Sequence, residues 1–137
     1  MGIGDQYPKL LAALCVWREA RGEGIDAKRG VYWTLANRAA AQPSPWPNDL
    51  AAVVLQPHQF SSFGQGDPNS LKFPAVSDQS WSDCCAVVDA PGIDPTDGAV
   101  YYESFPTDQL NEMRAQDPWF GADKMTVQIG AIRFYRR

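Results

Sequence analysis

Tyr7, Leu10, Leu11, Leu14 and Trp17 recur at three- and four-residue spacing, which predicts a helix over residues 7 to 21 with one apolar face. Ala12, Ala13, Cys15 and Val16 make its other side apolar too, so the middle is expected to be buried all round. Gly22 is placed to stop it as a left-handed cap. Asp26 is the expected N-cap of a second helix reaching about Ala40, with Val31, Leu35 and Arg38 along one side. Three prolines within AQPSPWPND forbid a helix there, and Asn48 or Asp49 then starts a short one over LAAVVLQ.

Residues 57 to 74 are rich in Gly, Ser, Pro and Asn, and a loop of that length in a compact domain points to function. Ser77 or Asp78 caps a further helix, where Trp81, Cys84, Cys85 and Val88 form an apolar stripe ended by Pro91. DPTDG reads as a turn, AVYY as a short extended segment and residues 107 to 116 as a weak helix. In KMTVQIGAIRFYR, Met125, Val127 and Ile129 alternate up to Gly130-Ala131, and Ile132 and Phe134 resume beyond it, the pattern of a β-hairpin. No repeat or linker interrupts the series. The fold class is α+β, mostly helical, in a single domain over residues 1–137.

Composition narrows the function more than the fold. Hydrophobic residues at 45% and charged ones at 20% fit a globular chain rather than a disordered one. The net charge of -4, without a Lys/Arg cluster, argues against nucleic acid as a partner. Cys15, Cys84 and Cys85 are an odd set without a CxxC spacing, so they are expected to be reduced packing thiols. With His58 the lone histidine, no metal site is expected. LLAALCVW lacks a basic leader and a cleavage pattern, and no stretch approaches a membrane span. The expectation is a chain made in the cytoplasm without an export signal and without membrane insertion.

The stretch CVWREARGEGID then raises a chemical question. On a helical wheel Glu19 falls between Cys15, Ala12 and Val16, in the last turn of a buried helix. Desolvation and the negative end of the helix dipole both raise the pKa of a carboxyl group placed there. Arg18 and Arg21 project to the Leu14 side. Two readings fit: a surface ion pair with an arginine, or an acid kept protonated near neutral pH, as cleavage of a glycosidic bond requires.

The stretch EARGE (19 to 23) resembles the signature of the SleB-type cell wall hydrolases, the spore-cortex-lytic enzyme family. GVYWTLANR (30 to 38), VVLQPHQFS (53 to 61), DPTDGAVYYES (94 to 104) and IGAIRFYR (129 to 136) resemble further blocks in family order. The resemblance implies a lysozyme-like, lytic-transglycosylase-type domain acting on the glycan strands of peptidoglycan, and it places the single catalytic acid/base on Glu19. Glu23 is then a supporting or substrate-binding carboxylate. Gln59, Phe60 and Ser61, with Tyr101 and Tyr102, supply amide, hydroxyl and aromatic groups for a sugar groove. Phe60 fits equally as a core anchor. The two tyrosines alternate, so one is expected to face the groove and the other the core.

One position departs from the family. Its closing motif, Gly-x-His-x-Phe-Tyr, has Ile132 here in place of the histidine, which touches substrate details more than the acid. His58 is expected to be a solvated loop residue, and Trp46, Trp119 and Phe120 to be packing residues. With one carboxyl group, the implied reaction is a lytic transglycosylation giving a 1,6-anhydro product, without cofactor, by a monomer. A hydrolytic muramidase using a second carboxylate such as Glu23 or Asp26, or a non-catalytic peptidoglycan-binding module, are the alternatives. A phage endolysin or a bacterial wall-remodelling enzyme would suit such a domain.

Overall fold

The computed structural model describes residues 3–41, 45–56, 60, 63–64 and 66–137, with side chains from residue 6 onward. Among the described residues, five α-helices and three strands run in chain order, joined in part by short 3-10 turns: α1 (Ile3–Ala20), α2 (Ile25–Ala40), α3 (Leu50–Leu55), α4 (Gln79–Asp89), β1 (Tyr101–Glu103), α5 (Leu110–Gln116), β2 (Met125–Ile129) and β3 (Ile132–Tyr135). The chain is thus α+β and mostly helical, as its pattern predicts.

α1 is the central helix, packed against α2, α3 and α4. Its small residues make this possible: Ala12, Ala13, Cys15, Val16 and Ala20 are all buried, so neighbouring helices approach closely. The expected Tyr7-Leu10-Leu11-Leu14-Trp17 stripe is buried only towards its end. Trp17 is buried and Leu11 and Leu14 are partly so, while Tyr7 and Leu10 remain 53% and 57% exposed. Periodicity finds both faces; packing selects the narrower one. The helix also begins earlier than expected, with Pro8 inside it.

Two caps differ from expectation. Gly22 is not left-handed; Gly66, Gly92, Gly98 and Gly130 are the described glycines that are. The chain leaves α1 through a turn closed by Glu23 N–H to the Ala20 carbonyl (3.0 Å) and enters α2 at once, so no reversal of handedness is needed. Gly24, not Asp26, is the N-cap of α2, and Asp26 instead pairs with Arg29 (2.9 Å) in the first turn. Asp49 and Asp78 cap α3 and α4 through their side chains, accepting from Ala52 and Trp81 backbone N–H groups.

The C-terminal hairpin gains a third strand, giving an antiparallel sheet in the order β1-β3-β2. AVYY is therefore an edge strand as well as an extended link, with Tyr102 opposite Phe134 and Glu103 opposite Arg133. Phe134 lies under α2 at Gly30, where an added Cβ would meet the ring at 2.6 Å. Only glycine allows this approach of helix and sheet. All three cysteines are free, with Cys15 and Cys84 buried and Cys85 partly so. Burial pushes the Cys84 thiol up to about 12 and the Cys15 thiol up as well, so both are inert packing groups.

Candidate active site

Two of the sequence blocks lock into one another. Asn37, near the end of α2, donates from its amide to the Asp94 carboxylate and to the Ala99 carbonyl, both at 2.9 Å. The neighbouring Arg38 donates from Nε to the Val100 carbonyl at 2.6 Å. Asp94 also accepts from Thr96 and Gly98, which folds DPTDG around its carboxylate, with Asp97 and Gly98 at positive φ. The Asn-Arg pair and the DPTDG turn are thus a clamp that lays β1 against α2.

That clamp sets one wall of a cleft of about 780 Å³. Glu19 enters it from the last turn of α1, Arg38 from α2, Gln56 from the end of α3, and Tyr101, Tyr102 and Glu103 from β1. Trp46, Trp119 and Phe120 complete an aromatic side, and Ile132 lines the same cleft. Trp46 meets Tyr101 edge-on at 5.6 Å, and Trp119 and Phe120 lie 6.2 and 6.3 Å from the same ring. The buried Arg38 guanidinium is seated over Trp46, Phe60 and Tyr101 at 5.1–5.4 Å, which anchors the rings.

Glu19 is partly buried, and its pKa is raised. Burial is the main cause; the nearby Asp67 charge adds to it, and the Tyr102 hydroxyl works against it. Neither Arg18 nor Arg21 turns towards it. Arg18 donates to the carbonyls of Ser70 and Lys72 and stacks on Phe63 and Phe73, while Arg21 lies over Trp17. The Tyr102 hydroxyl is itself buried beside Glu19, yet reaches no described group at ordinary hydrogen-bond geometry. Its ring is held between Phe60 (6.5 Å, stacked) and Phe134 (6.3 Å).

The second carboxyl group of the cleft is of another kind. Glu103 has a fully buried side chain and pairs with Arg133 at 3.0 Å. It also accepts from the Phe105 backbone N–H (2.9 Å) and from the Tyr135 hydroxyl. Arg133 goes on to the Phe105 carbonyl and Thr107, and Arg114 to the Tyr135 hydroxyl. Every oxygen of Glu103 is occupied by this network.

Of the predicted site residues, Glu19, Phe60, Tyr101 and Tyr102 come together at the cleft. The expected division of the tyrosines into one groove and one core residue does not hold. Both line the cleft, because β1 is a three-residue edge strand and the cleft wraps around it. Glu23 is not among the lining residues. Its carboxylate accepts from the Ala131 N–H (2.8 Å) and holds the β2–β3 turn, while its carbonyl accepts from Lys28. Gln59, Ser61 and His58 lie outside the described residues. Sequence reasoning passed over Arg38, Gln56 and Glu103 as site residues and assigned Trp46 and Trp119 to packing. The paired Pro-Trp stretches SPWPN and DPWFG were the available signal. Among the described residues no cluster of three His, Cys, Asp or Glu side chains could hold a metal ion, and no helix is long and apolar enough to cross a membrane.

Solved structures with this fold include the catalytic domain of the Bacillus cereus SleB protein, with 24% identity, a TM-score of 0.69 and coverage of 96% of this chain and 91% of that one. The catalytic domain of the germination-specific lytic transglycosylase SleB from Bacillus anthracis matches at 22% identity and a TM-score of 0.66, covering 96% and 95%. No curated protein sequence matches significantly. The cell wall hydrolase family model matches residues 22–135, a segment that begins just beyond Glu19 and spans the clamp, the sheet and most of the cleft lining. With most of its length in that match, and folded as the SleB catalytic domains are, the chain belongs to the cell wall hydrolase family.

Proposed function

We propose that the protein cleaves peptidoglycan glycan strands between N-acetylmuramic acid and N-acetylglucosamine, with Glu19 as its one acid/base and a 1,6-anhydro sugar as product. The observation that carries this reading is the inequality of the cleft's carboxyl groups. Glu19 is desolvated with its pKa raised, whereas Glu103 is consumed by Arg133, Tyr135 and the Phe105 N–H. The carboxylates that could serve a hydrolase are engaged elsewhere: Glu23 at Ala131, Asp26 at Arg29. Asp67, which lies near enough to influence Glu19, accepts from the Asn69 N–H and does not line the cleft.

In this mechanism Glu19 gives its proton to the glycosidic oxygen as the bond to muramic C1 breaks. The muramic 6-hydroxyl then attacks C1, and its proton returns to the same carboxylate. The strand is divided without net uptake of water, and the acid is regenerated. The B. anthracis SleB domain is a germination-specific lytic transglycosylase, which supports the same chemistry for this fold.

Mass spectrometry of digested peptidoglycan tests the reading. Anhydro-muramic ends, each one water lighter than the hydrolytic product, are expected. Reducing muramic ends alone would make the protein a muramidase. Reducing N-acetylglucosamine ends would mean that the other bond is cut, and an intact strand would leave a non-catalytic wall-binding module.

A further inference from the structure

Arg38 stands in the last turn of α2 with a side chain that lines the cleft and yet leaves the residue only 5% exposed. Its Nε donates to the Val100 carbonyl, and its guanidinium carbon lies over the rings of Trp46, Phe60 and Tyr101. The rings come from the loop after α2, the stretch after α3 and β1, so one side chain ties together three parts of the chain. A cation is a costly filler. An apolar side chain of like volume would occupy the same space without being stripped of water. What only arginine adds is a flat charged face that stacks on rings while its N–H groups bond in the plane. Arg38 is therefore suited to fixing the orientation of rings rather than to filling core.

The rings it touches lead outwards to the cleft. Trp46 is 7% exposed and also carries the Arg137 guanidinium at 5.7 Å, so it lies within the wall rather than on its surface. Tyr101 meets Trp46 edge-on at 5.6 Å, and Trp119, 6.2 Å from Tyr101, is 42% exposed. From the inside outwards the order is Arg38, then Trp46 with Tyr101, then Trp119.

We propose that Arg38 is the positioning residue of a glycan-binding wall: it sets Trp46 and Tyr101 so that Tyr101 and the outermost ring, Trp119, meet the strand. It acts through these rings and takes no part in proton transfer. Losing it weakens the hold on substrate and transition state alike, which raises KM far more than it lowers kcat. Phe60 does reach Tyr102, the neighbour of Glu19, but the β1–β3 pairing opposite Phe134 fixes Tyr102 independently. The inference rests on the proposed glycan-cleaving reading and deepens it.

Steady-state kinetics of the whole chain on soluble peptidoglycan strands tests the assignment. Arg38→Met and Arg38→Lys are each expected to raise KM by about tenfold or more, the scale of lost ring contacts. Over the same series kcat should fall by less than about threefold, as for a loss of uniform binding. Lysine does not rescue, because its ammonium is a compact point charge without a flat face. Trp46→Leu, which keeps Arg38 and its bond to Val100, should raise KM in the same way. Adding Arg38→Met to it should cost little more, since residues acting through one wall are not additive. A fall in kcat at unchanged KM, a parent-like Arg38→Lys, or losses that multiply in the double variant would each overturn the proposal. Should circular dichroism show that the Arg38 variants do not fold, Trp46→Leu still decides, because an unchanged KM there removes the wall. Affinity of the same strands for the Glu19→Gln chain, with and without Arg38→Met, separates this proposal from the reaction. Binding weakened by Arg38→Met without anhydro ends in the digest would sink the reaction and keep the positioning role. Anhydro ends with affinity and KM unmoved by Arg38→Met would do the opposite.

Discussion

On α1, the Glu19 carboxyl is desolvated, Arg18 and Arg21 are engaged elsewhere, and the neighbouring Tyr102 hydroxyl stops short of a full hydrogen bond. On β1, the Glu103 carboxyl lies deeper, yet Arg133, Tyr135 and the Phe105 N–H satisfy it completely. Both line one cleft. Depth of burial therefore does not make an acid. What matters is whether the fold supplies partners for the charged form. Glu103 has them and acts as a cross-brace between β1, β3 and the segment leading to α5; Glu19 lacks them and remains available to carry a proton.

Exchanging each carboxyl group for its amide should separate the two roles. Glu19→Gln should abolish strand cleavage, with a loss at or beyond the upper end of the ~10²–10⁴-fold typical of general acid–base catalysis, because the same group serves as acid and then as base. Turbidity clearing of purified sacculi measures it, with circular dichroism to show an intact fold. Normal turnover in this variant would erase the distinction drawn between the two carboxyls.

Glu103→Gln should fail in the opposite manner. It leaves the buried Arg133 guanidinium without its counter-charge, and breaking a buried pair from one side costs about 3–5 kcal/mol. Denaturant unfolding should record that loss, while activity per folded molecule is retained. A Glu103→Gln chain that folds normally but is catalytically dead would move the acid to β1.

A smaller effect is expected at the hydroxyl next to the acid. Tyr102→Phe removes the group that lowers the Glu19 pKa, so that pKa should rise further. Since the reaction starts from protonated Glu19, the alkaline limb of the pH–rate profile should move to higher pH. An unmoved limb would mean that Tyr102 does not touch the acid in the working enzyme.

The smallest effects concern stability against pH, and their signs differ. Glu19 titrates higher folded than unfolded, so the folded chain holds that proton more tightly. Its contribution is most favourable below the unfolded glutamate value of about 4.3 and is lost as pH rises through the raised folded value. Glu19→Gln should therefore have the higher melting temperature at neutral pH, with the gap closing in acid. Asp94 behaves oppositely. Burial pushes its carboxyl up, but hydrogen bonds from Thr96, Asn37 and Gly98 outweigh this and bring it below its ordinary value. Its contribution is present above about pH 4 and lost as pH falls through the lowered folded value, so Asp94→Asn should lose stability at neutral pH and converge with the parent in acid. Parallel pH curves for the two variants would contradict both assignments.

Much of the fold was legible where the signal is local. Asp49 and Asp78 stand one residue before the helices they cap, and the Met125–Tyr135 hairpin turns at Gly130, which takes the positive φ the turn demands. Such features depend on a few adjacent residues, whose side chains and φ preferences settle the matter by themselves. The wheel position of Glu19 was legible for the same reason, because a helix brings Ala12, Cys15 and Val16 beside it at fixed spacing.

Contacts between distant segments had no local signal, and the tertiary structure decided them. Glu103 meets Arg133 across thirty residues, so neither its burial nor its neutralisation shows in AVYYES. Glu23 reaches Ala131 across 108 residues, and a carboxylate that appeared to flank the acid is instead the brace of a hairpin turn. Gln56 and Tyr102 enter one cleft from α3 and β1 only because the Asn37–Arg38 clamp draws β1 onto α2. The sequence by itself determined the helices, the hairpin and the carboxyl group placed against apolar neighbours. Which carboxyl kept a free oxygen was left to packing, because partners for a buried charge come from whichever segments the core brings together.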